Sequence, residues 1–210
     1  MLWVRRKILS KSMDKTHDSQ AATIILIGMM ASGKSTVGRT LAKQLGWAFY
    51  DSDKEIEKRC GVPVSFIFEK EGEAGFRARE TQMLAELTSQ NGVVIATGGG
   101  APMFEINQKL LQRGYVIQLT TTVSDVLERT KFDSARPLLQ SEDKVARIRE
   151  LLLARTPTYD AVCHKKIATT RIHPEVVAQK ILALPEVQEI VRRVKRSDGD
   201  NEVKEEGDKQ

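Results

Sequence analysis

A short apolar run, Thr23–Ile27, leads directly into Gly28-Met29-Met30-Ala31-Ser32-Gly33-Lys34-Ser35, and no other stretch limits the possible fold as severely. These eight residues satisfy G-x-x-x-x-G-K-[ST], with Thr36 following. Such a loop works only between a strand and a helix. Both are predicted here, because Val37, Leu41 and Leu45 recur at helical spacing until Gly46 stops the pattern. The glycines let the backbone curl so that its N–H groups surround phosphate oxygens, and the positive end of the helix points at the same place. Lys34 is then placed for the β- and γ-phosphates of a nucleotide, and the Ser35 hydroxyl for Mg²⁺. A ligand-free glycine turn would need neither the lysine nor the serine.

The rest of the chain alternates. Strands are predicted at Thr23–Ile27, Ala48–Tyr50, Val93–Ala96, Tyr115–Leu119 and Lys166–Thr169. Helices are predicted at Lys34–Leu45, Lys54–Arg59, Val64–Lys70, Gly75–Thr88, Phe104–Arg113, Val123–Thr130, a segment bearing Val145, Ile148, Leu151 and Leu152, and Pro174–Leu184. This order implies an α/β fold, a parallel sheet of about five strands covered by helices on both faces. Ligands in such sheets bind beyond the carboxyl ends of the strands. That is where the unusual residues fall.

A chain of 210 residues suits one compact domain, and 40% hydrophobic with 29% charged residues suits a soluble globular one. The net charge of +5 fits anionic small substrates. Dispersed cations and 5% aromatics argue against nucleic acid. No apolar run approaches the roughly 20 residues of a membrane helix. Cys60 and Cys163 lie far apart with no CxxC spacing, so neither zinc nor a disulfide framework is expected, and a cytoplasmic location is. Residues 1–22 read as a flexible N-terminal extension, with Met13 as an alternative start. Residues 185–210 read as a charged C-terminal tail.

Several groups beyond the phosphate loop carry chemistry. Asp51 and Asp53 end the second strand. If that segment stays extended, both face one cleft, where one can organise metal-bound water and the other an acceptor hydroxyl. Spacing leaves open that they merely cap the next helix. Thr97-Gly98-Gly99-Gly100 ends an apolar strand, allowing close backbone approach and free N–H donors. Arg77 and Glu80 stand at i and i+3, either as a surface ion pair or as an arginine held ready to fork onto a carboxylate. Arg136-Pro137-Leu138-Leu139 lies within a polar loop, about residues 131–141, suited to a closing lid. Arg155 ends the helix before Pro157.

In this order the motifs resemble those of the shikimate kinase family: GMMASGKST at Gly28–Thr36, DSD at Asp51–Asp53, GEAGFR at Gly72–Arg77, TGGG at Thr97–Gly100, RPLL at Arg136–Leu139, and Arg155 in RTPTY. The resemblance spans about Thr23 to Leu184, and five ordered motifs are far more specific than the phosphate loop alone. It implies a single-domain P-loop kinase with a lid over residues 23–184. It also implies transfer of the ATP γ-phosphate to the 3-hydroxyl of shikimate, with Mg²⁺; the oligomeric state stays open, with nothing in the sequence demanding more than a monomer. Residue by residue, Gly28, Ala31, Ser32, Gly33, Lys34, Ser35 and Thr36 would bind ATP phosphates. Arg129, Arg171 and Pro174 would lie about the adenine, and Ser35 and Asp51 would hold the metal. Asp53 would face the acceptor hydroxyl. Arg77 and Arg155 would clamp the shikimate carboxylate, with Glu80 holding Arg77. Gly98, Gly99 and Gly100 would line the ring, Phe68 and Phe76 would form apolar walls, and Arg136 would reach the phosphates from the lid. Ala31 departs from the glycine common in this loop and is expected to avoid positive φ.

Other readings fit less well. Thr130-Lys131-Phe132-Asp133 resembles a guanine-selecting T-K-x-D, yet it follows a predicted helix, and no D-x-x-G occurs. A gluconate kinase would share the phosphate chemistry, but Asp53, Arg77, Gly99 and Arg155 favour a carboxylated ring. Retention of Asp53 with both arginines argues against a non-catalytic nucleotide-binding module.

Overall fold

A computed structural model describes residues 22–131 and 143–207, with side chains described to Ser197. The predicted N-terminal extension before Ala22, residues 132–141 of the predicted lid, and Arg136 itself lie outside the described residues.

Five strands form one parallel sheet: β1 (Thr23–Ile27), β2 (Ala48–Asp51), β3 (Val93–Ala96), β4 (Tyr115–Thr120) and β5 (Lys165–Ala168), in the order β2-β3-β1-β4-β5. β1 is the central strand, and all five of its residues are buried. Its side chains alternate between two cores, as a pleated strand requires. Ile24 and Leu26 join a cluster with Val37, Leu41, Ile117, Val177 and Ile181. Ile25 and Ile27 face the opposite cluster, with Ile56, Ile67, Phe76, Leu84 and Tyr159. Each such fully buried aliphatic side chain stabilises the fold by about 1.5–3 kcal/mol.

The covering helices are α1 (Lys34–Leu45), α2 (Ser52–Cys60), α3 (Val64–Leu87), α4 (Glu105–Leu111), α5 (Val123–Arg129), α6 (Lys144–Val162), α7 (Pro174–Leu182) and α8 (Pro185–Gly207). The two helices expected at 64–70 and 75–88 run together as α3. Gly72 takes φ 69 and ψ −175 between them, so the join is a kink rather than a loop. α6 bridges two regions. Ile148 and Leu151 pack with Met29, Met30 and Val126, while Tyr159 and Val162 pack beneath the sheet.

The charged tail expected from residue 185 is instead helical through Gly207. Val187, Ile190 and Val194 stand at i, i+3 and i+7, and all three are buried in the β1–α1–α7 core. The stripe is helical in period. A charged composition hides it.

Candidate active site

The phosphate loop closes tightly around its own backbone. Gly28 has φ 137, and a Cβ there would lie 2.4 Å from the Leu119 carbonyl oxygen of β4, so glycine is required twice over. Ser32 N–H donates to Met29 O (3.2 Å), and Gly33 caps α1 in the left-handed region. The buried Lys34 Nζ donates to the Gly28 and Met29 carbonyls at 2.8 and 2.9 Å, which folds the ammonium over the loop. Ser32 Oγ is buried and points to no partner among the described residues. Thr36 is exposed on the first turn of α1. Ala31 does not avoid positive φ as expected but adopts φ 57.

Asp51 ends β2 and caps α2. Its Oδ1 accepts from Lys54 N–H at 3.4 Å and its Oδ2 from the Ser35 hydroxyl at 2.5 Å. The extended Asp51–Asp53 segment does not form, because Ser52 already begins α2. Asp53 therefore enters the cleft from the first helical turn. Burial, with Asp51 nearby, raises its carboxyl to about 6 against the pull of Lys34 and Arg77. Its Oδ1 is buried without a hydrogen-bond partner among the described residues.

The three glycines after β3 are explained by proximity, since none has positive φ. A Cβ on Gly98 would lie 2.8 Å from both Asp53 Oδ1 and Glu80 Oε1. One on Gly99 would meet Met30 N, Gly28 O and Arg155 Nη1 at 3.4, 3.5 and 3.6 Å. One on Gly100 would lie 2.7 Å from Arg77 Nη2. The turn thus brings the phosphate loop, two acids and two arginines against three consecutive residues. Its N–H groups are not all free, because Gly98 N–H donates to Ser52 Oγ at 3.0 Å.

Arg77 is held on several sides. Nη1 donates to Glu80 Oε2 (2.8 Å), while Nε and Nη2 donate to Glu73 Oε1 (3.2 and 3.1 Å). Its guanidinium lies 4.8 Å from the Phe104 ring centre and 5.2 Å from that of Phe76. Glu80 is fully buried. Burial lifts its carboxyl to about 7 even though Arg77 pulls the other way. The Phe68 and Phe76 rings pack with centres 4.6 Å apart.

Arg129 reaches the loop from α5, donating through Nη1 to Ala31 O (3.0 Å) and through Nη2 to Thr169 O (2.9 Å). Arg171 is exposed with φ 52, and Pro174 opens α7. In the T-K-x-D stretch, Thr130 is buried at the end of α5 and its hydroxyl donates to Val126 O (2.6 Å). Phe132 and Asp133 lie outside the described residues. Two side chains not singled out from the sequence also touch the glycine turn: Ser52, and Tyr159, whose hydroxyl donates to Gly99 O at 2.5 Å. The available signal was position, Ser52 between two aspartates and Tyr159 four residues beyond Arg155.

A parallel 2-3-1-4-5 sheet whose first loop has the G-x-x-x-x-G-K-S form and opens a helix beside a buried acid defines a P-loop kinase. A family model described as shikimate kinase matches residues 30–185. The shikimate kinase of Halorhodospira halophila is 50% identical over 167 residues, covering 79% of this chain and 94% of that protein. That of Chromohalobacter salexigens is 49% identical, covering 83% and 92%. The solved shikimate kinase from Acinetobacter baumannii in complex with shikimate superposes with a TM-score of 0.75 at 48% identity, over 80% of this chain and 94% of that one. The chain belongs to the shikimate kinase family. Among the described residues, no helix is long and apolar enough to cross a membrane.

Proposed function

We propose that the chain transfers the γ-phosphate of ATP to the 3-hydroxyl of shikimate, giving ADP and shikimate 3-phosphate. The observation that carries this reading is the glycine turn, which brings Asp53, Arg77, Arg155 and the phosphate loop into contact within three residues. Nucleotide and acceptor then meet at one point, as direct in-line transfer requires.

Lys34 exchanges its two loop carbonyls for β- and γ-phosphate oxygens, and the loop N–H groups hold the rest. Arg129, Arg171 and Pro174 flank the adenine. Arg77 and Arg155 fork onto the shikimate carboxylate, with Glu80 keeping Arg77 in place. Phe68 and Phe76 wall the ring. Asp53 accepts the hydrogen bond of the 3-hydroxyl, and its raised pKa brings it towards the range of an effective general base near neutrality. Arg136, with the lid, neutralises the transferring phosphoryl group.

Mg²⁺ fits the donors present. Ser35 Oγ and Asp51 Oδ2 converge beside the loop as hard oxygens, suiting an ion that keeps most of its ligands as water and phosphate. Ser35 would hold it directly and Asp51 through water. When bound it supplies charge neutralisation at the phosphoryl oxygens. Cys60 and Cys163 are both unbridged, in accord with the cytoplasm.

A coupled ADP-release assay with MgATP and shikimate, gluconate or no acceptor tests the reading. Release that depends on shikimate is expected. ATP binding with no acceptor stimulating release would overturn the acceptor site.

A further inference from the structure

Arg155 and Tyr159 are four residues apart on α6, so they lie one turn apart on the same helix face. Tyr159 is 1% exposed, and its hydroxyl is nevertheless fully engaged. It donates to Gly99 O at 2.5 Å, and the positive charge of Arg155, one turn back, acts on it. A phenol has one proton to donate. With that proton committed to Gly99, the oxygen's lone pairs are what the hydroxyl can offer a neighbouring guanidinium. Arg155 Nη1 also stands 3.6 Å from where a Gly99 Cβ would be, and the same position lies 3.4 Å from Met30 N of the phosphate loop. One hydroxyl therefore links the arginine, the glycine turn and, through that turn, the loop.

A buried tyrosine could serve packing alone. Packing needs the ring, however, and a phenylalanine would supply it. The hydroxyl adds a defined orientation for Arg155, whose long side chain otherwise samples many rotamers. α6 is a firm base for this contact, since its first half packs on Met29 and Met30 and its second on the core beneath the sheet.

We propose that Tyr159 is a positioning residue for the acceptor. It fixes the Arg155 guanidinium relative to Gly99, so that the guanidinium is already oriented to receive a bound carboxylate. The inference rests on the reading above in which Arg155 receives the acceptor carboxylate.

Tyr159→Phe keeps the ring and removes the hydroxyl. With shikimate as acceptor, its KM for shikimate rises about tenfold, the loss expected for one hydrogen bond to a charged group. KM for ATP and kcat stay within about twofold. The decisive second arm uses the neutral carboxamide analogue of shikimate. It offers no carboxylate to Arg155, so variant and wild type show the same KM for it. An unchanged KM for shikimate, or an equal penalty with acid and amide, would overturn the inference and leave Tyr159 a packing residue. If Tyr159→Phe does not fold, Arg155→Lys carries the test. An ammonium cannot both bond Tyr159 and fork onto a carboxylate, so its shikimate KM rises at least about tenfold. A wild-type KM there would also overturn the proposal. Wild-type ADP release tests the underlying reading separately, because the inference appears only in ratios between variant and wild type.

Discussion

The Ser35 hydroxyl donates to Asp51 Oδ2 across 2.5 Å, tying the first turn of α1 to the carboxyl end of β2. Asp51 also caps α2 through Lys54 N–H. Asparagine caps a helix about as well as aspartate, so Asp51→Asn removes charge without removing the cap. The Mg²⁺ concentration for half-maximal rate is expected to rise about tenfold, with folding stability unchanged within about 0.5 kcal/mol. Asp53→Asn behaves differently. ATP affinity stays near wild type while kcat falls at least about a hundredfold. Titration with Mg²⁺ and ATP separates the two roles, and equal loss of nucleotide affinity and turnover in Asp53→Asn would refute its assignment to the acceptor.

Gly98 has no left-handed φ, so alanine is allowed by the backbone there. The obstacle is steric. An added methyl would lie 2.8 Å from the carboxylate oxygens of Asp53 and Glu80 at once. Gly98→Ala is expected to cost roughly 1–3 kcal/mol of stability and to push Asp53 aside, lowering kcat at least about tenfold. Urea unfolding and steady-state rates measure both. Wild-type values for both would mean the two acids move apart without consequence.

Much of this was legible in the sequence, for identifiable reasons. The strands lie close to their predicted positions because β1, β3 and β4 are short, mostly apolar runs ended by glycine or polar residues, while β2 and β5 at the sheet edges follow from the alternation with helices. Strand order was not readable, because pairing is decided between segments distant in the chain. The phosphate loop was recognisable because its chemistry fixes residue types at fixed spacing. The geometry of Asp53 was not, since alternation across a strand and the first turn of a helix both allow a D-x-D. α8 was missed for a third reason. Val187, Ile190 and Val194 are a sparse stripe among charges, and burial on the β1–α1–α7 core outweighs the polar composition.

Glu80 gives the protein a pH dependence of definite sign. Its carboxyl titrates at about 7 in the folded protein, against 4.5 as the ordinary value, chiefly because it is buried. The folded state therefore binds this proton more tightly than the unfolded state. The resulting stability is fully present below about pH 4.5 and is lost as pH rises through about 7. The charges facing Glu80 are Arg77 on its own helix, Asp53 on α2 and Arg155 on α6. The effect is of the order of 2–3 kcal/mol. Glu80→Gln keeps the shape and a neutral group, so its stability should fall less than that of wild type between pH 4.5 and 7. Asp53 contributes with the same sign in both proteins. Urea unfolding of the two proteins at pH 4.5 and 7 is the check, and parallel pH profiles would contradict the shift.

Ala31 places a methyl-bearing residue at φ 57, in the loop that must hold the phosphates. A left-handed non-glycine residue costs about 1–2 kcal/mol. Glycine would remove that strain but would add about 0.4–1 kcal/mol of unfolded-state entropy. The strain is the larger quantity, so Ala31→Gly is expected to stabilise the protein by up to about 1 kcal/mol. That raises Tm by about 2–4 °C for a chain of this size. ATP affinity should hold, because Arg129 bonds the residue-31 carbonyl rather than its side chain. Differential scanning calorimetry decides the sign. A lower Tm would show that the methyl's packing beside Met29 and Met30 outweighs the backbone strain.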